Sequence, residues 1–317
     1  MSFTEGDADY VAVSIEGLLE EYAEYQRKYR DLADGSVEKH RLYVRRCLDH
    51  FREGDRIFLS AVLRVESIQT YVAEYAGGHG DGSNRGMFSA LRAFLRFCHL
   101  EGYLDADLSN AVPSLHKQRL SEVPRCISEE HVEALLKGID TSLDIGKRDY
   151  AIIQMLNAYG VRGVHIRRLT LEDVKWADDR IVFKAAKGGK RIVQHLTPAV
   201  GNSLLDYLRY ARPPQTPCRE VFLTCRGVPR PLRLPATLSR IVARRLKVAG
   251  IELPGGMSKG SHPFRHAFAS RMVCGSQPFK HVADMLGHKI LDSTMIYTKV
   301  NLPALRQAAL EWPEVPS

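Results

Sequence analysis

Residues 113–124, reading Pro-Ser-Leu-His-Lys-Gln-Arg-Leu-Ser-Glu-Val-Pro, carry no apolar period and are bounded by Pro113 and Pro124. Neither a helix nor a strand is expected to run through such a stretch, so it reads as a linker between separately folded parts. A chain of 317 residues has the length for two ordinary domains, each with its own core. The expected organisation is a domain over residues 1–112, the linker 113–124 and a second domain over residues 125–317.

The two parts differ in pattern. Before the linker, apolar residues recur at helical spacing, which predicts helices near Ile15–Tyr29, Ser36–Arg52 with Ser36 as N-cap, Ser67–Ala76 and Asn84–Leu100. Four short helices make a small bundle. After the linker come helices over Glu129–Lys137, capped by Ser128, and Arg148–Ala158. The period then changes to that of strands at Val174–Trp176, Arg180–Phe183 and Arg191–Leu196. Helices return over Pro198–Arg212 and Ala236–Ala249, each starting near a proline. The fold class is therefore mainly α with a small antiparallel β-sheet.

Charge separates the parts as well. Residues 1–110 hold 13 Lys and Arg against 19 Asp and Glu, and the rest of the chain holds 32 against 18. A basic excess of that size is the electrostatic footprint of a nucleic-acid binder, although solvated basic faces are common. Arg92 and Arg96 on the fourth helix, Lys117 and Arg119 in the linker, and Arg240, Arg244, Arg245 and Lys247 on the 236–249 helix are candidate phosphate contacts. No run of about 18 apolar residues exists, and Met1 to Asp9 is acidic, so neither membrane insertion nor secretion is expected. Six scattered cysteines with no Cys-x-x-Cys pair fit free thiols in a reducing cytoplasm.

The chemistry concentrates near the C-terminus, in His262-Pro263-Phe264-Arg265-His266, Leu286-Gly287-His288 and Ile296-Tyr297. A phenol is a poor nucleophile near neutral pH, since with a pKa of about 10 only about a thousandth of it is ionised. Imidazoles that take or share its proton and a guanidinium that forks onto two phosphate oxygens would remedy that. Taken singly, each residue has a plainer explanation. Tyr297 could be a packing residue, Arg162 a helix-terminal cation and Lys187 a turn lysine. His262 and His266, four apart on a helix, could ligate zinc, but no Glu completes a His-Glu-x-x-His site. His266 then reads as structural.

Together these pieces resemble the tyrosine recombinase family, also called phage integrases. That family carries a His-x-x-Arg box, a Gly-His pair and a Tyr nine residues beyond the second His, the spacing of His288 and Tyr297 here. Tyr159-Gly160-Val161-Arg162 is similar to its upstream Thr-Gly-Leu-Arg turn, and Lys187-Gly188-Gly189-Lys190-Arg191 to its Gly-Lys-Gly-x-Lys-x-Arg hairpin. One position departs, for the family's Glu three residues after the first Arg is here His165, which could serve as a hydrogen-bonding brace.

The resemblance implies a helical, SAM-like core-binding domain followed by a tyrosine recombinase catalytic domain. It also implies a site-specific recombinase or integrase that breaks and rejoins double-stranded DNA through a 3′-phosphotyrosyl intermediate, without ATP. The catalytic set it implies is Arg162, Lys187, His262, Arg265, His288 and Tyr297. Tyr297 would be the nucleophile, Arg162 and Arg265 the phosphate clamp, and Lys187 the general acid, with Lys190 as its alternative. His262 would accept or orient the tyrosine proton and His288 donate to a phosphate oxygen; the residues leave open which imidazole takes which part. No cofactor is expected, and with two guanidiniums and an ammonium no metal is needed. The tail, with Leu302, Leu305 and Ala309 on one side of a short helix, implies protomer exchange within a tetramer on paired sites, from monomers in free solution. Two other readings compete. One is a helix-turn-helix regulator using residues Phe279 to Val300 around Gly287, which leaves Arg162, Lys187, His262 and Arg265 as coincidences. The other is a type IB topoisomerase, which shares the chemistry.

Overall fold

The computed structural model describes residues 12–52, 56–115, 124–186, 190–255, 257–287 and 297. The chain divides into two compact units, Met1–Gln118 and Arg119–Ser317. Lys117, Arg119, Lys187, His288 and the 302–310 segment lie outside the described residues. Among the described residues no helix is long and apolar enough to cross a membrane.

The first unit is built from helices α1 (Ile15–Arg30), α2 (Asp34–Phe51), α3 (Leu59–Val62), α4 (Val65–Gly78) and α5 (Asp81–Leu100). Strands β1 (Ala12–Ser14) and β2 (Arg56–Phe58) pair antiparallel beside them. Its core closes around Tyr22, which is fully buried between Phe94 and Phe97, with both ring centroids 5.4 Å away. The Tyr22 hydroxyl donates to the Ala90 carbonyl at 3.3 Å, so the buried oxygen is satisfied.

Two expectations change here. Ser36 is not a cap, because α2 starts two residues earlier with Ala33 extended at the N-cap and Asp34 placing negative charge in the first turn. Asn84 does not open α5 either; its side-chain amide donates to the carbonyls of Ala76 and His79, tying the end of α4 to α5. Arg92 and Arg96 also have partners inside the unit. Arg92 donates to the Pro113 carbonyl, and Arg96 donates to Ser109 Oγ at 3.2 Å and lies 3.8 Å from Asp107. A phosphate contact from either competes with these bonds.

The second unit contains α6 (Glu129–Lys137), α7 (Asp144–Tyr159), α8 (Gly163–Arg167), α9 (Pro198–Tyr210), α10 (Ala236–Val248), α11 (His262–Cys274) and α12 (Phe279–Leu286). A three-stranded antiparallel sheet in the order β3 (Val174–Lys175), β4 (Arg180–Phe183), β5 (Ile192–His195) sits among them. Ser128 Oγ accepts the His131 amide at 3.2 Å, so α6 begins at its expected cap. Helix α7 is central. Its Ile152, Ile153, Met155 and Leu156 are fully buried, and it packs on α9 and α11. Burying such side chains contributes roughly 1.5–3 kcal/mol each.

Helix α10 buries Leu238, Ile241, Val242 and Leu246, but its basic stripe is divided. Arg244 and Arg245 both donate to the carboxylate of the buried Asp149, at 2.6 and 2.8 Å; Arg245 is largely buried, while Arg244 stays exposed like Arg240 and Lys247. Half of the stripe therefore holds the fold together.

Candidate active site

Helix α11 is buried on most of its circumference because it lies between two cores. Phe264 and Ala267 belong to the main core of the unit, whereas Phe268, Ala269 and Val273 form a smaller cluster with Val282, Leu286 and Tyr297. Arg265 points between them and is only 4% exposed. The small cluster brings α12 and Tyr297 against α11, so residues from positions 160 to 297 meet in one place.

Two left-handed glycines end the helices that frame this place. Gly160 caps α7 with φ 56°, and Gly287 caps α12 with φ 63°. Neither position has room for more. A Cβ on Gly160 would come within 2.7 Å of Phe268 Cβ, and one on Gly287 within 2.7 Å of Ile192 Cδ1. The helix ends can approach α11 and β5 because both residues are glycine.

The converging helix ends hold the guanidiniums. Arg265 Nη1 donates to the Gly160 carbonyl at 3.1 Å and its Nη2 to the Leu286 carbonyl at 2.8 Å. Arg162 Nη1 donates to the Gly287 carbonyl at 3.3 Å. Carbonyls at helix C-termini carry partial negative charge, which favours cations there. Among the described residues no carboxylate is ion-paired with either arginine. Burial, and then the neighbouring Arg162, push the Arg265 pKa down to about 10, and burial also lowers that of Arg162. Among the described residues, two positive groups held close together are bonded to backbone carbonyls, an arrangement suited to an anion.

His165 accounts for part of that imbalance. It is 3% exposed, packed near Phe183, and its Nδ1 has no hydrogen-bond partner among the described residues. Among the described residues His165 therefore makes no brace through Nδ1. Burial, then Arg162, Arg265 and Arg168, hold the His165 pKa down to about 4, so the imidazole is neutral at neutral pH. Where a glutamate would bring negative charge beside the arginines, this histidine brings none.

Tyr297 is 2% exposed, and its hydroxyl lies 2.8 Å from His266 Nδ1. Burial pushes its pKa up to about 12, against the opposing pull of Arg265 and Arg162. At neutral pH the phenolate is then on the order of one part in 10⁵, so a nucleophilic role for this hydroxyl would need a base. His262 is exposed at the first residue of α11, with its ring centroid 6.5 Å from that of His266. Sequence reasoning gave His266 a structural part. Its position one helical turn from His262, next to Arg265, was the signal available for more.

Lys187 and His288 belong to the expected site but lie outside the described residues. Their neighbours are placed. Residues 184–191 link β4 to β5, Lys190 is exposed, and Gln194 Nε2 on β5 donates to the Met285 carbonyl of α12 at 3.3 Å. Strand β5 is thereby attached to the helix end that precedes residue 288 in the chain.

An arginine pair preorganised by backbone carbonyls beside a buried tyrosine and a histidine is an arrangement suited to phosphoryl transfer, on a helical scaffold with a small sheet. The family model described as "Phage integrase family" matches residues 125–302, and the chain belongs to that family. Among named relatives, y4rA of Sinorhizobium fredii, named as an integrase/recombinase, is 35% identical over 97% of this chain and 73% of its own length. The tyrosine recombinase XerC of Pseudomonas putida is 26% identical over 90% of this chain and 92% of its own. Among solved structures, the XerH site-specific recombinase bound to palindromic difH substrate superposes with a TM-score of 0.68 at 18% identity, covering 92% of this chain and 82% of that one. A lambda integrase dimer bound to a COC′ core site gives 0.67 at 15% identity, covering 96% and 81%. At such identities the likeness is one of fold.

Replacing Arg265 by alanine is expected to slow strand cleavage by about 10²–10³-fold, the usual effect of removing one preorganised donor. Lysine at this position is not expected to restore it, because a single ammonium cannot hold two carbonyls and still present a planar fork to phosphate. Single-turnover cleavage of a defined duplex by both variants measures this; near-normal cleavage by Arg265→Lys would refute the clamp.

Proposed function

We propose that the protein is a site-specific DNA recombinase or integrase in which Tyr297 attacks a backbone phosphate, forming a 3′-phosphotyrosyl link and releasing a 5′-hydroxyl. The observation that carries this reading is the pair Arg162 and Arg265, held by helix-end carbonyls and ion-paired with no carboxylate among the described residues, next to the buried Tyr297 hydroxyl. Those donors suit the two non-bridging oxygens of a phosphodiester, where charge builds in the transition state. The covalent link stores the energy of the broken bond, so the strand can be rejoined to another 5′-hydroxyl without ATP.

In this reading Lys187 protonates the leaving oxygen, with Lys190 as the alternative, and His262 and His288 complete the set around the phosphate. The first unit contributes further contacts to double-stranded DNA, and the protein works in the cytoplasm. Monomers assemble as a tetramer on paired sites, with the 302–310 segment of one protomer packed on the next. A helix-turn-helix regulator would leave the arginine pair and the hydroxyl contact without a purpose.

The test is to express the protein in its source cell, denature, and recover any DNA that remains covalently attached. The DNA is sequenced and the protein is digested for mass spectrometry. The expected result is a nucleotide remnant on the peptide containing Tyr297, joined to one recurrent DNA sequence. An adduct on another residue, or none even on a nicked substrate that prevents rejoining, overturns the reading.

A further inference from the structure

We propose that His266 is a catalytic residue of strand cleavage, taking the proton from Tyr297 as the phenol oxygen attacks phosphorus. The inference rests on the reading of Tyr297 as nucleophile and adds a group to it.

The geometry singles out this imidazole. Of the two histidines on α11, it is His266 whose Nδ1 lies 2.8 Å from the Tyr297 hydroxyl, with the two ring centroids 5.7 Å apart. His262 sits one turn earlier on the same helix, 6.5 Å from His266 between centroids, and is exposed. A heavy-atom separation of 2.6–3.2 Å is the reach required of a general base. His266 is half-buried whereas Tyr297 is 2% exposed. Its position is fixed by the chain as well as by the bond, because it follows Arg265, whose guanidinium is locked onto Gly160 and Leu286. The phosphate clamp and the base therefore come from consecutive residues of one helical turn, and the distance between them is set by backbone.

With the ring proton on Nε2, Nδ1 has a lone pair for the phenol proton. The O–H bond breaks and its proton passes to Nδ1, the phenol oxygen forms the bond to phosphorus, and the bond from phosphorus to the 5′ oxygen breaks. That oxygen leaves with the electron pair and takes a proton from the lysine assigned above as general acid. On rejoining the steps reverse, and the imidazolium returns its proton to the tyrosine.

Three measurements on a nicked duplex carrying the recovered target sequence decide the matter. Asparagine in place of His266 keeps a polar atom near Nδ1 and can hold the phenol, but it is no base near neutral pH. His266→Asn and His266→Ala are each expected to cleave about 10²-fold or more slowly than the natural protein, with DNA binding and melting temperature little changed. Imidazole added to the solution is expected to raise the rate of His266→Ala and leave His266→Asn unchanged. A substrate with sulfur at the 5′ bridging position, which leaves without needing a proton, is expected to rescue neither. Cleavage by His266→Asn at the natural rate would mean that the bond only positions the tyrosine, and would overturn the proposal while leaving Tyr297 as nucleophile. Rescue of the variants by the sulfur substrate would place His266 on the leaving-group side and overturn it too. Absence of an adduct on Tyr297 in the natural protein is a different failure, that of the nucleophile itself.

Discussion

A Tyr297→Phe protein is expected to lose strand cleavage by on the order of 10⁶-fold, the scale on which removal of a covalent nucleophile acts in other enzymes, while keeping its fold. The reason lies in how little else the hydroxyl does. The ring packs with Phe268, Ala269, Val273, Val282 and Leu286, and phenylalanine fills the same space. What disappears is the bond to His266, worth about 1 kcal/mol of stability, together with the attacking oxygen. Arg162 and Arg265 keep their carbonyl partners, so affinity for DNA should persist. Single-turnover cleavage, thermal melting and a DNA titration on the same preparation separate these effects. Substantial cleavage by the phenylalanine variant would exclude Tyr297 as nucleophile, and loss of binding along with cleavage would point to a structural part for the hydroxyl.

Much of the scaffold was legible because its long helices are periodic and capped in familiar ways. Helix α6 starts at Ser128, and the strand over Arg180–Phe183 has the bounds its residues suggest. The pair of strands Ala12–Ser14 and Arg56–Phe58 was not legible, since three residues carry no readable alternation and their pairing spans more than 40 positions. Arg244 and Arg245 looked like the outer face of an amphipathic helix. Their bonds go to Asp149, a charge on a neighbouring helix that periodicity along α10 does not contain. The candidate site shows the same division. The family resemblance brought Arg162, Arg265 and Tyr297 forward together, but it did not reveal that the hydroxyl faces His266, a contact that joins residues 31 positions apart. Nor could it show that His165 is buried near two arginines with its Nδ1 unpaired among the described residues.

These features share an electrostatic logic. Outside the site, the buried Arg148 of this unit is matched by the carboxylate of Asp149 at 2.7 Å, and the half-buried Lys147 by that of Asp206 at 2.8 Å. Inside it, Arg162 and Arg265 are held by carbonyl dipoles, and the residue placed to counter them is a neutral histidine. Dipoles fix direction without cancelling charge, so the positive potential remains available to a phosphate. The difference lies in what neutralises the arginines, rather than in how many there are.

Replacing Asp149 by alanine is expected to destabilise the second unit by about 3–5 kcal/mol, the usual cost of breaking a buried ion network by removing one partner. Asp149 is fully buried on α7. One carboxylate oxygen accepts Nε and Nη2 of Arg148 at 3.0 and 2.7 Å, and the other accepts Arg244 and Arg245 at 2.6 and 2.8 Å. Arg244 is about half exposed and can turn to water, but the Arg148 and Arg245 side chains are only 6% and 10% exposed. They would be left as buried cations with too few acceptors, and the tie between α7 and α10 would go with them. Asparagine keeps the shape and some of the bonds, so Asp149→Asn should lose less. The first unit has its own core and supplies an internal control. In urea, the transition of the second unit should move to lower denaturant while that of the first stays in place. Equal shifts in both would show that the units unfold as one, and no shift would mean that the three arginines are solvated well enough without the carboxylate.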